Sequence, residues 1–442
     1  MSTRWSLGLA SLGLALAVRA ASVRQAAPAY ARYAGRTQPV RLIPSLTGEP
    51  EYCLTCHQGI EEISAAHPVD VFGCVRCHGG NALSLDVDGA HEGLLGGGNP
   101  SDFSVVEDAC GGGDCHSGPA EENRDHIARS LTSIQSTYAG AIASVRYTFG
   151  AQPDPTARYG IRAVDDPLVT TDTGVASIAA FADIVDGDPP AVQRFAAACM
   201  TCHLESEPRP DAGYQRLTGC AACHSPSNFD GTYAGDDPNV GRDGAGHAAV
   251  HRVTTAIPYM QCDACHNRGN YDLVTMTFHE RTDLPTDRRA SRIQDYYQPI
   301  AQFTKCEWEL DCVDCHTSGE VMGDGDLHSS QSEVRYILCS TCHGTSDAGP
   351  QTMTITDPND LALRRAHLNP VVDLSVGDTV VVTSRGEALW NVIEQPDGTF
   401  VVVGKVTQMR YDVPLVKGSE CEQNPDEQGS SDCHACHAIE PP

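Results

Sequence analysis

Apolar and polar positions recur with a clear period in only a few stretches of this chain. Between Pro119 and Val145 the apolar residues Ile127, Leu131, Ile134, Tyr138, Ile142 and Val145 fall three or four apart, the step of an amphipathic helix. Pro190–Ala198 predicts a second helix, with proline in its first turn, that runs into Cys199. Thr379–Thr383 and Thr399–Thr407 are rich in valine, and Pro396-Asp397-Gly398 offers a turn between extended runs. These predict a β-hairpin or three-stranded insert near 371–416 that holds no Cys or His, a scaffold or an interface. Residues 151–189 are rich in Pro, Asp and Thr with one short helical patch near Val175–Val185, and are expected as a surface linker. At the start, Trp5–Val18 is apolar behind Met-Ser-Thr-Arg, with small residues at Ala20 and Ala21. That is the layout of an export signal peptide over 1–20. The run is shorter than the roughly 20 residues a membrane-spanning helix needs. No later segment is long and apolar enough to cross a bilayer. The rest is predicted to be mostly irregular, with short α-helices.

Composition makes that pattern a problem. Aromatic residues are 6% and there are 41 glycines in 442 residues, a poor basis for an ordinary core of this size. The missing apolar mass has a candidate source in the 20 cysteines and 18 histidines. Eight times the chain reads Cys-x-x-Cys-His. The first four of these units are Cys53, Cys56 and His57; Cys74, Cys77 and His78; Cys199, Cys202 and His203; Cys220, Cys223 and His224. The others are Cys262, Cys265 and His266; Cys312, Cys315 and His316; Cys339, Cys342 and His343; Cys433, Cys436 and His437. A wider ninth unit, Cys110-Gly-Gly-Gly-Asp-Cys115-His116, has four residues between its thiols and stands third in chain order. Two thiols on one backbone turn can form thioethers to the two vinyl groups of a porphyrin, and the histidine that follows can bind its iron. Zinc knuckles and redox dithiols also use Cys-x-x-Cys, but neither requires a histidine directly after the second cysteine. The residues therefore point to nine covalently attached haems of the c type. For the Cys110 unit a small disulfide loop is the competing reading. Cys306 and Cys421 lie outside the units and are expected as one disulfide, in keeping with an oxidising compartment.

Nine further histidines remain: His67, His91, His126, His247, His251, His279, His328, His367 and His434. One per unit is what an imidazole on both sides of every iron requires. His67 and His126 each follow a unit histidine by ten residues, His328 by 12, and His91 and His279 by 13, which supports ligand status without fixing the partner. His247 and His251, four apart, would share a helical face and serve two neighbouring irons, or form a surface zinc site. His434 sits between Cys433 and Cys436 and is either a ligand to another haem or a bystander. His367 follows its unit by 24 and breaks the pattern. An iron with two imidazoles has no position left for substrate, so its work is electron transfer at low potential.

Charge narrows the partners. Thirty basic against 58 acidic residues gives −28, which argues against nucleic acid and anionic membrane. The exception is a basic arm over 21–50: Arg24, Arg32, Arg36 and Arg41 come before the first acid, Glu49. The spacing Cys53–Cys74 repeats as Cys199–Cys220, each pair followed by a third unit. This divides the chain into three-haem modules at 51–150, 190–290 and, more diverged, 300–442.

From Cys53 to His437 the chain resembles the multihaem c-type cytochromes of periplasmic and extracellular electron transfer. Its haem density, full set of second histidines and lack of a Cys-x-x-Cys-Lys unit look most like the cytochromes that polymerise into extracellular wires. That resemblance implies short helices and loops wrapped around a haem stack, redox donor and acceptor proteins or an extracellular acceptor, and a head-to-tail homopolymer. In that family a histidine of one subunit can complete a haem of the next. It implies an extracellular or cell-surface location, otherwise a periplasmic one. Two alternatives stay open, a monomeric periplasmic carrier and an oxidoreductase of the nitrite, hydroxylamine or tetrathionate type. The enzyme would need one spare histidine not to bind iron, with His434 and then His367 the expected defectors.

Overall fold

The computed structural model describes residues 38–200, 203–205, 217–226, 250–263 and 309–421. It also describes the pieces 233, 235–237, 239–240, 270–272 and 277–279, and Cys433. The expected signal peptide over 1–20, most of the basic arm, Cys202, His247, Cys265, His266, Cys306, His434, Cys436 and His437 lie outside these residues. The expected Cys306–Cys421 disulfide therefore falls outside them too. For Cys199 and His279 only the backbone is described. Among the described residues no helix is long and apolar enough to cross a membrane.

The amphipathic stretch before Val145 is helical in three pieces: α1 (His126–Thr132), α2 (Ile134–Thr137) and α3 (Ala139–Thr148). Two local features break the run. The Ser133 hydroxyl caps the second piece by accepting from Ser136 N at 3.2 Å, and Tyr138 turns left-handed at φ 57°. The expected apolar face still forms, because Ile142 and Val145 are buried with Phe181, Val192 and Phe195. Val192 and Phe195 come from α4 (Pro190–Cys199), which starts as the sequence predicts, with proline in its first turn.

Residues 151–189, expected as a surface linker, are folded against both neighbours. They form a small sheet in which β1 (Tyr159–Gly160) and β2 (Val164–Asp165) flank β3 (Ser177–Ala180). The patch near Val175–Val185 is thus strand followed by 3-10 turns. Ile178 packs with Ala139, Ala157 and Leu327, and Val175 bridges Leu327, so this stretch touches the first and third expected modules. Phe181 packs with Val192 and Phe195 at the start of the second. Arg146 of α3 is buried and pairs with the buried carboxylate of Asp188; its Nη2 also donates to Ala151 O at 3.0 Å. Pro, Asp and Thr make the stretch look solvent-facing, yet its few apolar side chains suffice to pin it.

Two short strands follow, β4 (Asn270–Asp272) and β5 (Thr277–His279), paired antiparallel. The valine-rich region is larger than the expected hairpin or three-stranded insert. It is a five-stranded antiparallel sheet in chain order: β6 (Thr352–Thr354), β7 (Thr379–Val382), β8 (Ala388–Glu394), β9 (Phe400–Val403) and β10 (Arg410–Val413). The turn at Pro396–Gly398 joins β8 and β9, with Gly398 at φ 83°. Valine runs give this sheet two buried faces. Val380, Trp390, Val401 and Val403 pack against Ala362 and Ala366 of α5 (Leu361–Leu368). Val381, Leu389, Phe400 and Val402 form the other face, which packs against Cys315 and Cys342. The sheet is therefore the backing of two Cys/His units.

Candidate functional site

Five of the six fully described units fold onto one tight turn closed by the same bond, and the remaining one, Cys339–His343, is a short helix. The histidine amide donates to the carbonyl of the unit's first cysteine: His57 to Cys53 at 3.1 Å, His78 to Cys74 at 3.0 Å, His224 to Cys220 at 3.0 Å and His316 to Cys312 at 2.9 Å. The wider unit closes the same bond, His116 N to Cys110 O at 3.2 Å. It absorbs its extra residues in the π-helical turn Glu107–Gly111 and in positive φ at Gly113 (74°) and Asp114 (57°). All five units thus offer their two thiols and their imidazole in the same local order.

The unit imidazoles do not stand alone. His57 faces His91 with ring centroids 6.1 Å apart, and His78 faces His251 at 6.0 Å. His116 stacks on His67 at 6.1 Å and also lies 5.5 Å from the ring of His126. Two imidazole nitrogens each about 2 Å from one metal ion place their rings roughly 6 Å apart. The first three units therefore fit a metal held between two histidines. The offsets leave the partner open, and the pairing runs between units. His67 lies ten residues after His57 but faces His116, and His91 lies 13 after His78 but faces His57.

Protonation favours ligand duty. Burial lowers the pKa of His67, His116 and His224, and takes His78 down to about 4, so these rings are neutral near pH 7 as metal ligands must be. Five rings give Nδ1–H to an oxygen and leave Nε2 with its lone pair. His57 donates to Asp237 (2.5 Å), His224 to Thr254 O (2.9 Å), His251 to Glu61 O (2.9 Å), His316 to Glu320 (2.7 Å) and His343 to Pro414 O (2.7 Å). Such outer partners fix the tautomer and the ring orientation. None was singled out in the sequence. Glu320 could have been, four residues after His316, whereas Asp237 and Glu61 lie far along the chain from the rings they hold.

The thiols are also placed together. Burial raises Cys56, Cys77, Cys110 (to about 11) and Cys220 (to about 12), and contact with the Cys53 thiol raises Cys74. These thiols stay protonated at neutral pH, whereas the contact with Cys74 lowers Cys53. Cys53, Cys74 and a carboxylate oxygen of the buried Glu51 lie within 4.8 Å of one another.

Cys223 lies where two units approach each other. It is half-buried on the fifth turn, and its amide donates to Cys220 O at 3.2 Å, as a partner of Cys220 should. Yet Cys223 also lies within electrostatic reach of Cys262, the leading thiol of the sixth unit. The two turns pack against each other, which residues 39 positions apart cannot reveal by spacing.

Other predicted ligands are placed differently. His328 is buried, with Nε2 on Asp324 at 2.9 Å and Nδ1 3.7 Å from Glu333; burial opposes its charge, but the Asp324 carboxylate outweighs it and raises the pKa. His126 Nδ1 accepts from Arg129 at 2.9 Å, since a guanidinium only donates, which puts the ring proton on Nε2. His203 is buried beside Tyr138, and its Nδ1 accepts from Glu205 N at 3.2 Å. His367 lies exposed on α5. Comparison with family models, with curated proteins and with solved structures found no match for this chain.

Proposed function

We propose that this chain is a nine-haem c-type cytochrome that conducts electrons, is exported, and assembles head-to-tail into an extracellular filament. The observation that carries the reading is the pairing of unit imidazoles with spare imidazoles at 6.0–6.1 Å in the first three units. When bound, the haems supply reversible one-electron chemistry. The chain's own part is to hold each group from three points, two thiols and an imidazole on one turn. Burial keeps His67, His78, His116 and His224 neutral, and Nδ1–H bonds to carbonyls and carboxylates fix the orientation of His57, His224, His251, His316 and His343.

A second reading has one specific observation behind it. The imidazoles of His328 and His126 are engaged by Asp324 and Arg129, which leaves irons to be completed by something other than those rings. In a filament that is a histidine of the neighbouring chain. In an oxidoreductase it is the substrate. The deciding experiment is intact mass and EPR on protein matured in a host with haem-attachment machinery. Nine haems by mass and a low-spin spectrum in the assembled state are expected. Eight or fewer haems in fully matured protein would overturn the nine-haem reading. A stoichiometric high-spin signal that nitrite or hydroxylamine shifts would favour the enzyme.

A further inference from the structure

We infer that the Cys/His units stand in space in the order first, second, third, fifth, sixth, seventh, eighth, with the fourth set against the fifth as a side branch. The inference rests on the haem reading and adds to it the order in which the cofactors meet. Chain order would put the fourth unit in the middle of the series.

Each junction is tied by named contacts. The first and second units meet at their leading thiols, Cys53 and Cys74, and Glu51 between them accepts from Cys74 N at 2.7 Å. The second and third are joined by the Arg76 guanidinium, which donates to Ala109 O at 3.1 Å and to Gly112 O. From the third the series passes to the fifth, not to the fourth. Cys220 N donates to Ser101 O at 3.2 Å and Ala221 N to the Ser101 hydroxyl at 2.9 Å, which docks the fifth turn on the segment leading into Cys110. The Cys220 thiol is within electrostatic reach of Cys110, and the His116 ring within reach of His224.

The fifth and sixth units are held by Gln261, whose side chain donates to Ala222 O at 2.5 Å, and by the approach of Cys223 to Cys262. Between the sixth and seventh, Tyr259 N donates to Asp311 at 2.7 Å, and the leading thiols Cys262 and Cys312 are in contact. Glu320 then links the seventh to the eighth. It holds the His316 ring and accepts from Tyr336 N and Ile337 N at 2.7 and 2.8 Å, just ahead of Cys339. Cys315 and Cys342 share one face of the five-stranded sheet. The fourth unit joins this series through Leu204, whose carbonyl accepts from Gly219 N at 2.7 Å, immediately before Cys220.

Where leading thiols meet, at Cys53–Cys74 and Cys262–Cys312, the groups they carry are neighbours, and elsewhere the docking of one turn on the next sets the order. The test is a cryo-EM map of the mature protein, with haem count by intact mass on the same sample. The expected map places the haem on Cys110 and Cys115 beside that on Cys220 and Cys223, and the haem on Cys199 and Cys202 outside that junction. Nine haems by mass with the third and fourth as neighbours, and the third and fifth apart, would overturn the order and leave the cytochrome reading intact. Protein that matures with no haem would overturn both. As a second arm, the double variant Cys199→Ala/Cys202→Ala should lose one haem by mass. Its map should keep contacts among the rest unbroken; a gap between the third and fifth haems would also overturn the proposal.

Discussion

His78 and His251 face each other with their rings 6.0 Å apart and 26° from parallel, though 173 positions separate them in the chain. The first expected module is thus completed from the second. Asp237, also from the second, holds His57. Replacing His251 by Ala should convert one iron per molecule from low-spin to high-spin and leave the haem count unchanged. EPR with intact mass checks it; an unchanged spectrum would mean that His78 has another partner.

His116 has two imidazole neighbours, and their hydrogen bonds separate them. His67 Nδ1 lies 3.0 Å from the Ser64 hydroxyl, which can accept, whereas His126 Nδ1 receives the Arg129 guanidinium. His67→Ala should therefore open one iron and His126→Ala none, read as high-spin EPR intensity. The reverse result would assign His126 to the iron.

Local pattern made some of this legible and long-range packing hid the rest. The units and their turns were readable because each is a single stretch of five to seven residues whose hydrogen bond closes on itself. The helices around Ile142 and Val192 were readable from apolar spacing. The break at Tyr138 was not, since nothing in a tyrosine demands positive φ. The five strands exceed the expected hairpin or three-stranded insert because β6 lies ahead of the valine runs, separated from β7 by α5, and because β10, Arg-Tyr-Asp-Val, carries little of the valine signal. Imidazole partners were not legible from offsets, because His67, His91 and His251 reach across folds of chain that only the assembled core fixes. The approach of Cys223 to Cys262 was hidden for the same reason.

The 151–189 stretch should matter to stability as a core element would. Asp188→Ala leaves the buried Arg146 guanidinium without its carboxylate, a loss of about 3–5 kcal/mol for a broken buried pair. Thermal melts of the haem-loaded protein should show a clear drop. Restoring complementarity with Arg146→Met in the same chain should recover part of it. A melt unchanged by Asp188→Ala would return 151–189 to the role of a loose linker.

Lys405 predicts an alkaline effect. Its ammonium donates to Val313 O at 2.6 Å and lies 5.2 Å from the centre of the Trp390 ring, and burial lowers its pKa from 10.5 to about 8. Below about pH 8 the lysine is charged in both states and the burial cost is fully present. Between about 8 and 10.5 the unfolded chain binds more protons than the folded one, so this group makes stability rise with pH. The gain is at most about 3 kcal/mol. Lys405→Met should lack the rise when denaturant melts at pH 7.5 and 10 are compared with those of the parent, and equal pH slopes in the two proteins would refute it.

The last prediction concerns assembly. Arg24, Arg32 and Arg36 precede an acidic body, and a patch that binds a different patch on an identical chain propagates into a filament unless it closes into a ring. The structure divides the arm. From Val40 onward it is docked on its own chain: Val40 N donates to the Thr55 hydroxyl at 2.9 Å, Ser45 N to Asp70 O at 2.9 Å and Leu46 N to Val71 O at 3.0 Å. Deleting the arm as far as Thr47 would strip these bonds and confuse assembly with folding. The informative deletion is 22–37 behind an intact signal peptide, which leaves the docked part and Arg41 in place. If the arm is the link, full-length protein forms filaments in electron micrographs and the truncated protein stays monomeric with an unchanged haem count. Equal filaments from both would remove the arm from assembly. A full-length protein that stays monomeric at native concentration would make the chain a diffusing carrier instead of a wire.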